Sequence, residues 1–576
     1  MDSVFFWERN LSALSRQNPE LCLRLKSAAP GAGRYVFLRA ASGETIPAPV
    51  DGSGVARPLH STVNPKREAE RLVSAINDGG AGATGFVVFL GLGGGFAPAA
   101  ALELPGVSGV LAIEYGLAGV AELLRARDYS ALFADPRFTL LADPAPELVE
   151  NAVAELYRPA LSGGIRVLPL RARVERDRAD FGAAGDAVRR GVEKVSADYS
   201  VQAHFGRRWF ANIVRNIASV QNGNGDFVAK MPPVCEAAIC AAGPSLDAQI
   251  PLLLERKRAG EGGGLFVVST DTALPALVRR GLKPDAVVSI DCQHVSYHHF
   301  MDSVCAGIPL FMDIAGPPML SSLSDSAVFF SGGHPLALYL RQKWRPLPVL
   351  DTSGGNVAFA CLSLAESLGA RRITVCGADF SYPRGKIYAR GTYVFPYFEK
   401  RQNRFSALEA QASAFLYRAP FLPAETDSAS GARKYETATM RSYRRSFEEK
   451  ISGMEAEVSV MPGLGIPPSV FKRGRPRPPA NAWKTGTAEK PAAGAAEFLE
   501  TYRRDVAALP PAGNPRDSGA YLRNPVFTTL LPLMAAFKRR EPEMPPSELL
   551  EAVKLYCVGE IDGVLNRNYR AKSAPA

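Results

Sequence analysis

Residues 352–391 read TSGGNVAFACLSLAESLGARRITVCGADFSYPRGKIYARG, and this stretch decides the fold. Small and polar residues open a helix that ends near Leu368-Gly369, and an apolar strand over Ile373–Cys376 follows. The strand ends on Gly377 and Asp379. Ligands of open parallel sheets bind at strand ends beside helix N-termini, where amide groups attract phosphate. The stretch therefore predicts a site for a phosphate-bearing ligand, such as a nucleotide.

A second strand and turn of the same kind lie upstream. The sequence EAAICAA (residues 236–242) is typical of a buried strand, and Gly243-Pro244-Ser245-Leu246 separates it from a helix. Further strands are predicted over residues 264–270, 284–291, 310–314, 327–330 and 348–350. Because these strands alternate with helices, the sequence predicts an α/β domain with a mostly parallel sheet.

The N-terminal part carries another strand that runs into glycines. Residues 85–90 are apolar, Gly91-x-Gly93-x-Gly95 follows, and Glu114 ends the next strand about twenty residues on, as in Rossmann-like nucleotide sites. The spacing departs from G-x-G-x-x-G. Two interpretations stay open: a nucleoside or S-adenosylmethionine site, or glycines that only permit close packing of helix and strand.

The remaining segments complete the predicted organisation. A hairpin is expected around Ser42-Gly43, and residues 145–232 are expected to be largely helical with a connecting helix over 192–220. Helices are also expected over 497–508, 521–539 and 547–564. We predict a Rossmann-like domain at 1–190, a catalytic α/β domain at 191–460, a Pro/Gly/Ala-rich linker at 461–495 and a helical region at 496–576.

Composition narrows the functional classes. The 576 residues are 47% hydrophobic and 22% charged, with a net charge of +10 spread along the chain, so no nucleic-acid partner is predicted. The first residues lack the pattern of a signal peptide, and no apolar stretch is long enough to cross a bilayer. The eight cysteines form no C-x-x-C pair. We expect a cytoplasmic protein without membrane insertion.

The combination of motifs points to a family. Gly243-Pro244-Ser245-Leu246, Asp285 with Asp291, and Gly377-Ala378-Asp379 occur in an order that resembles the MptE-like domain. More closely, the chain resembles the motility-associated factor (Maf) proteins that contain this domain. The resemblance implies a glycosyltransferase that moves a nonulosonic acid from a CMP-activated donor to Ser or Thr of flagellin, with inversion at the anomeric carbon.

The central domain is also similar to bacterial CMP-dependent sialyltransferases, and this similarity implies the site residues. The residues implied to bind nucleotide or donor are Gly243, Pro244, Ser245, Thr352, Ser353, Gly354, Gly355 and Gly377. The similarity also implies that Tyr382 and Tyr388 hydrogen-bond the leaving phosphate and that Asp379 binds the cytidine. We predict catalytic roles for Asp379, Tyr382, Tyr388 and Asp291, the last from the MptE-like motif. No cofactor and no metal ligand are implied.

One departure concerns the general base, which is a downstream histidine in the sialyltransferases. No histidine follows Tyr388 in this chain, so the candidates are Asp291, His294, Asp379 and Glu436. A different interpretation treats His294, His298 and His299 as a metal cluster. The alternative is a loop whose histidines are exposed or hydrogen-bonded. No Cys or carboxylate spacing nearby supports the metal.

Two other functions remain open. A 6-hydroxymethylpterin diphosphokinase would need Mg²⁺, which Asp285, Asp291 and Asp379 would hold. A non-catalytic flagellin assembly factor would need none of these side chains. The sequence does not decide which sugar is carried, which flagellin residues are modified, or how many copies assemble.

Overall fold

The structure is a computed structural model of the chain, and it forms two compact units. The described residues are 2–28, 35–50, 52, 54–74, 76, 84–222, 234–259, 264–301, 305, 307–418, 424–426, 431–469, 493–511 and 518–570. One unit comprises Met1–Arg207 with Val506–Tyr556, and the other comprises Arg208–Asp505 with Cys557–Ala576. The predicted domain bounds stay predictions.

Sixteen strands are described. They are β1 Tyr35–Arg39, β2 Thr45–Pro49, β3 Thr84–Leu90, β4 Gly109–Glu114, β5 Phe138–Ala142, β6 Gly164–Pro169, β7 Glu236–Cys240, β8 Phe266–Thr270, β9 Ala286–Ser289, β10 Leu310–Asp313, β11 Ala327–Phe330, β12 Arg372–Cys376, β13 Tyr382–Pro383, β14 Ala424–Thr426, β15 Arg433–Tyr435 and β16 Glu457–Val460.

Helices surround these strands. They span Asp2–Ser15, Pro19–Ser27, Pro65–Ser74, Phe96–Glu103, Leu117–Ala126, Ser130–Ala134, Pro146–Leu156, Pro159–Ser162, Arg171–Val174, Arg178–Asn222, Leu246–Ala259, Leu274–Val278, Pro335–Lys343, Val357–Ser367, Val394–Glu399, Leu408–Leu416, Ala438–Gly453, Ala495–Ala507, Ser518–Arg523, Pro525–Arg540 and Pro546–Leu565. His294–Phe300 and Pro318–Leu323 are 3₁₀ segments, and Asn566–Arg570 is a π-helical turn. Within the described ranges, no helix combines the length and apolarity needed to cross a bilayer.

The first unit is built on a four-stranded parallel sheet in the order β5-β4-β3-β6. Strands β3 and β4 are buried along their whole length, as expected of strands covered by helices on both faces. The hairpin predicted around Ser42-Gly43 is present as the antiparallel pair β1–β2. This unit therefore has the Rossmann-like layering expected from its sequence.

The second unit is built on a seven-stranded parallel sheet in the order β11-β10-β9-β8-β7-β12-β16. From β7 the chain adds strands in one direction as far as β11, and then returns to the other side of β7 with β12. The helix Val357–Ser367, which packs on β7, β8 and β9, makes this return. The strand order thus reverses between β7 and β12, where ligands bind in doubly wound sheets.

The parallel α/β fold class and the helical C-terminal region are confirmed, while some elements differ from expectation. Residues 145–232 were expected to be largely helical, but β6 at Gly164–Pro169 interrupts them as an edge strand. Residues 348–350 form only one isolated bridge, Ser331 to Val349. The long connecting helix is present as Arg178–Asn222, and positions 223–232 lie outside the described residues.

Candidate active site

A cleft of about 650 Å³ opens at the carboxyl ends of β7 and β12. Its walls come from the two turns that follow these strands, from the start of the helix Val357–Ser367, and from the segments around Tyr382 and Thr437. Of the sequence-predicted site residues, the lining includes Gly243, Gly377, Asp379, Tyr382 and Tyr388. The motifs that follow the neighbouring parallel strands β7 and β12 therefore meet at one cavity.

The Asp379 side chain ties three segments together beneath this cleft. Its carboxylate accepts hydrogen bonds from the Ser245 amide at 2.8 Å, from the Ser245 hydroxyl, and from the Gly465 amide at 2.9 Å. The Ser245 hydroxyl also accepts from the Leu464 amide at 2.6 Å. Asp379 and Ser245 are 5% and 4% exposed. Both side chains thus hold the turns in place. This role is independent of any ligand contact that the backbone of either residue makes.

Glycine is required where the turns touch. Gly243 donates its amide hydrogen to the Gly377 carbonyl at 2.9 Å, and a Cβ on Gly243 would collide with that carbonyl and with the Asp379 carboxylate. Gly377 has φ +65°, and a Cβ there would collide with the Ala241 carbonyl. These contacts bring the backbone itself to the cleft wall, so a ligand can approach main-chain groups closely.

The helix Val357–Ser367 directs its N-terminus at the cleft. Asn356 caps it by accepting from the Phe359 amide at 3.0 Å. Asn356, Val357 and Ala358 all line the cavity. The first amides of a helix lack intrahelical acceptors and carry a partial positive charge, so this end is suited to an anion.

The preceding residues, Thr352 to Gly355, lie outside the lining of the cleft. The Thr352 hydroxyl donates to the Gly332 carbonyl at 3.2 Å, and the Ser353 hydroxyl donates to Asp351 at 2.7 Å. A Cβ on Gly354 would collide with the Phe359 ring, and Gly355 has φ +70°. In this structure these residues shape the approach to the helix; their contact with a donor stays a prediction.

Two tyrosines and one arginine add side-chain donors to the cleft. Burial raises the pKa of Tyr388 far above its usual value, as do the neighbouring Tyr393 and Tyr382, while Arg418 opposes them. Burial likewise raises the pKa of Tyr382. Both hydroxyls therefore stay protonated at neutral pH and can donate hydrogen bonds. Arg418 stacks on Phe415 at 4.0 Å and has no carboxylate partner among the described residues.

Two other predicted carboxylates, Asp291 and Glu436, are not among the residues that line the cleft. Asp291 follows β9 and accepts from the Gln293 amide at 2.9 Å; burial raises its pKa, and the charge of Asp271 adds to this. Glu436 is 4% exposed and is engaged by Arg441 at 2.7 Å and Arg444 at 3.0 Å. Glu436 is therefore held in an ion-pair network, and its use as a base stays a prediction.

Asp285 lies at the opposite edge of the sheet. It accepts from the Val267 amide and from Lys257, both at 2.8 Å, next to the beginnings of β8 and β9. Asp291 and Asp379 follow strands at the carboxyl edge. The three carboxylates named for Mg²⁺ thus do not converge. Nor do the described residues contain a group of three or more His, Cys, Asp or Glu side chains placed to hold a metal ion.

The three histidines after β9 lie on the 3₁₀ segment His294–Phe300. His294 is exposed, and the Nδ1 atom of His298 lies 3.0 Å from the Met301 sulfur. His299 is buried against Asp271, with 3.3 Å between Nδ1 and Oδ1. The three side chains therefore have different surroundings, as the alternative of a loop with separate histidines expects.

The glycine turn of the first unit is filled by side chains. His60 accepts from the Gly94 amide at 2.7 Å, and a Cβ on Gly93 would collide with His60 and Leu170. Glu114 is 1% exposed, accepts from the Leu92 amide at 2.8 Å and pairs with Arg173 at 2.7 Å. The position expected to contact a ribose is thus engaged with protein, and these contacts favour the packing interpretation of Gly91 to Gly95.

Sequence reasoning missed several groups at the cleft. Arg418 belongs to no motif, and Asn356 follows the quoted glycines as an ordinary helix cap. The segment 462–466 was assigned to a linker because of its prolines and glycines, yet its amides bond Ser245 and Asp379, and the Ile466 amide donates to the Asp379 carbonyl at 2.8 Å. Its Gly-x-Gly spacing at 463–465 was the available signal.

Comparison with known proteins finds a family and relatives that match parts of this chain. Residues 211–385 match the family described as 6-hydroxymethylpterin diphosphokinase MptE-like. Two uncharacterized proteins of Treponema pallidum (strain Nichols) are 40% identical over 129 residues and 36% identical over 106 residues, or 22% and 18% of this chain. The chain spans about half the length of these curated relatives, 45% and 46%.

A solved structure shares the fold along the chain. The MAf glycosyltransferase from Magnetospirillum magneticum AMB-1 superposes with a TM-score of 0.53 and 13% identity, covering 98% of this chain and 91% of that one. Both findings match the resemblance drawn from the motifs. The chain thus has the fold of a Maf glycosyltransferase, with an MptE-like segment at its centre.

Proposed function

We propose that this protein is a glycosyltransferase of the Maf type that transfers a nonulosonic acid from a CMP-activated donor to Ser or Thr of flagellin. The reaction takes place in the cytoplasm before flagellin is exported, and it inverts the anomeric carbon by direct displacement. The protein has a role in motility through this modification. It needs no metal or other cofactor.

The observation that carries the proposal is the cleft at the strand reversal between β7 and β12. A CMP-activated nonulosonic acid has two anionic groups, a phosphodiester and a sugar carboxylate. The cleft offers the helix N-terminus at Asn356 and the cation of Arg418 for such groups. Its volume of about 650 Å³ lies within the range of small-molecule sites.

The two tyrosines would stabilise the leaving group. As the bond between the anomeric carbon and the phosphate oxygen breaks, negative charge collects on CMP. Tyr382 and Tyr388 line the cleft with protonated hydroxyls and would donate to that phosphate. Donors placed where charge develops lower the barrier because they need no reorganisation during the reaction.

A second candidate is the diphosphokinase activity in the name of the family matched at residues 211–385. Pyrophosphoryl transfer from ATP uses Mg²⁺ held by carboxylates close to the phosphates. Asp285 lies at the far edge of the sheet, and the Asp379 carboxylate is engaged by Ser245 and Gly465. The positions of these carboxylates therefore fit sugar transfer better than Mg²⁺-dependent pyrophosphoryl transfer.

The test is a transfer assay on the full chain. Flagellin from a strain that lacks this gene is incubated with the protein and CMP-pseudaminic, CMP-legionaminic or CMP-N-acetylneuraminic acid. The proposal expects CMP release and a flagellin mass increase of one sugar residue, unaffected by chelator. ATP consumption with a pterin substrate, abolished by chelator, would support the diphosphokinase instead. If neither reaction occurs and flagellin still binds, the protein is a non-catalytic assembly factor.

A further inference from the structure

A buried acid–histidine pair lies beside the cleft; Asp271 has no predicted role, and His299 is named only in the metal-cluster interpretation. Asp271 follows β8, and His299 lies on the 3₁₀ segment after β9. The His299 Nδ1 atom is 3.3 Å from Asp271 Oδ1. Asp271 is fully buried, and His299 retains 8% of its surface. The two residues are far apart in sequence and meet because β8 and β9 are parallel neighbours.

The surroundings of Asp271 keep its carboxylate ionised. Its oxygens accept from the Thr272 amide at 2.7 Å, the Thr272 hydroxyl at 3.1 Å and the Ser289 hydroxyl at 2.8 Å. Burial raises the pKa of Asp271, but His299 and these hydrogen bonds outweigh burial, so the pKa lies below its usual value. A buried carboxylate of this kind needs a nearby cation or proton donor. His299 provides it.

The pair borders the cleft. Thr270 and Thr272, on either side of Asp271, line the cavity. The charge of Asp271 contributes to raising the pKa of Tyr388, which lines the same cavity. The His299 ring packs on Tyr393 at 4.6 Å between ring centres. The Nδ1 atom is buried without hydrogen-bond geometry to any described residue, although Asp271 lies next to it.

We propose that His299, oriented by Asp271, accepts the proton of the acceptor hydroxyl during sugar transfer. This inference rests on the proposed function and supplies the base that the sequence motifs left unassigned. The acceptor oxygen forms its bond to the anomeric carbon while the bond from that carbon to the phosphate oxygen breaks, and CMP leaves with the electron pair. The hydroxyl proton moves to Nε2 of His299, and the Asp271 carboxylate stabilises the imidazolium. The imidazolium then releases the proton to solvent.

The pair has charged and titratable neighbours on each element packed against it. Asp291 follows β9, His298 precedes His299, and Tyr393 is the N-cap residue of the helix Val394–Glu399. Tyr388 and Arg418 face the cleft. Only neutral imidazole accepts a proton from the acceptor hydroxyl.

The experiment compares His299→Gln and Asp271→Asn with His204→Gln, a matched control at an exposed histidine on the helix Arg178–Asn222. Donor binding is measured by calorimetry with CMP, and transfer by flagellin mass and CMP release across pH 5 to 9. We expect His299→Gln to lower kcat by about 100-fold or more, which is the contribution typical of a general base. The donor KM should stay within about 3-fold of the original.

Asp271→Asn should also lower kcat, because an amide can stabilise the wrong imidazole tautomer, and His204→Gln should change neither constant. A His299→Gln protein that binds CMP and transfers sugar at near the original rate would overturn the inference and leave the proposed function intact. If His299→Gln fails to bind CMP, His299→Asn takes its place under the same criteria. If the unmodified chain neither binds CMP nor transfers sugar, the proposed function itself fails.

Discussion

Ser245→Ala tests whether the hydroxyl of the Gly-Pro-Ser turn holds the site together or binds the nucleotide. The hydroxyl donates to the buried Asp379 carboxylate and accepts from the Leu464 amide at 2.6 Å. A hydrogen bond to a charged group contributes roughly 1.5 to 3 kcal/mol, and solvent can reach the Leu464 amide because that residue is exposed. We therefore expect a loss of about 2 kcal/mol in the free energy of unfolding.

The loss should concentrate on the segment 462–466. Hydrogen exchange of the Leu464 and Gly465 amides, measured by mass spectrometry on the full chain, should accelerate about 30-fold, the equivalent of about 2 kcal/mol. Urea unfolding should shift in the same direction. The dissociation constant for CMP should change by less than about 5-fold, because the hydroxyl is engaged with protein.

Ser363→Ala is the matched control. Ser363 is also 4% exposed, but its hydroxyl has no hydrogen-bond partner among the described residues. Removing a buried unpaired hydroxyl should leave stability unchanged or raise it by up to about 1 kcal/mol. If Ser245→Ala keeps normal stability and exchange while CMP affinity falls by more than about 10-fold, the hydroxyl contacts the nucleotide and its structural role is refuted.

Three further outcomes are expected. Arg418→Gln should weaken CMP binding by about 10-fold and reduce its salt dependence in calorimetry. Substitution of Arg404, an exposed arginine beside Phe405, by Gln should have neither effect. Equal effects of the two substitutions would show that Arg418 does not bind CMP. Tyr388→Phe should lower kcat by about 100-fold with the donor KM little changed, and an unaltered kcat would argue against phosphate stabilisation. Burial lowers the pKa of His60 to about 4, so the folded state excludes a proton that the unfolded chain binds below pH 6.5. His60 should therefore contribute a stability loss of about 2 kcal/mol between pH 7 and pH 5, so urea titrations of His60→Gln should show a loss that is smaller by about this amount.

The elements that local pattern specifies could be predicted. Buried strands such as β7 and β12 are continuous apolar runs, and the Gly243 and Gly377 turns follow them directly, so their meeting at one edge follows from parallel topology. The edge strand β6 was missed because it includes the exposed Arg166 and Val167 and lacks a buried apolar run.

The rest of the site depends on tertiary contacts that no local pattern encodes. Asp271 and His299 meet only because their strands are neighbours, and Arg418 enters the cleft from a segment without a motif. The segment 462–466 has the composition of a linker, yet its amides satisfy Asp379 and Ser245. The composition of this segment predicts exposure to solvent. Its hydrogen-bond partners are set by residues that are distant in the sequence.

The central claim is that the cleft between β7 and β12 binds a cytidylate. Isothermal titration of the full chain with CMP, alongside ATP with Mg²⁺, tests it most directly. The account predicts saturable heat from CMP that Arg418→Gln weakens and Arg404→Gln leaves unchanged. Absence of heat from CMP, together with saturable binding of ATP and Mg²⁺, would contradict it.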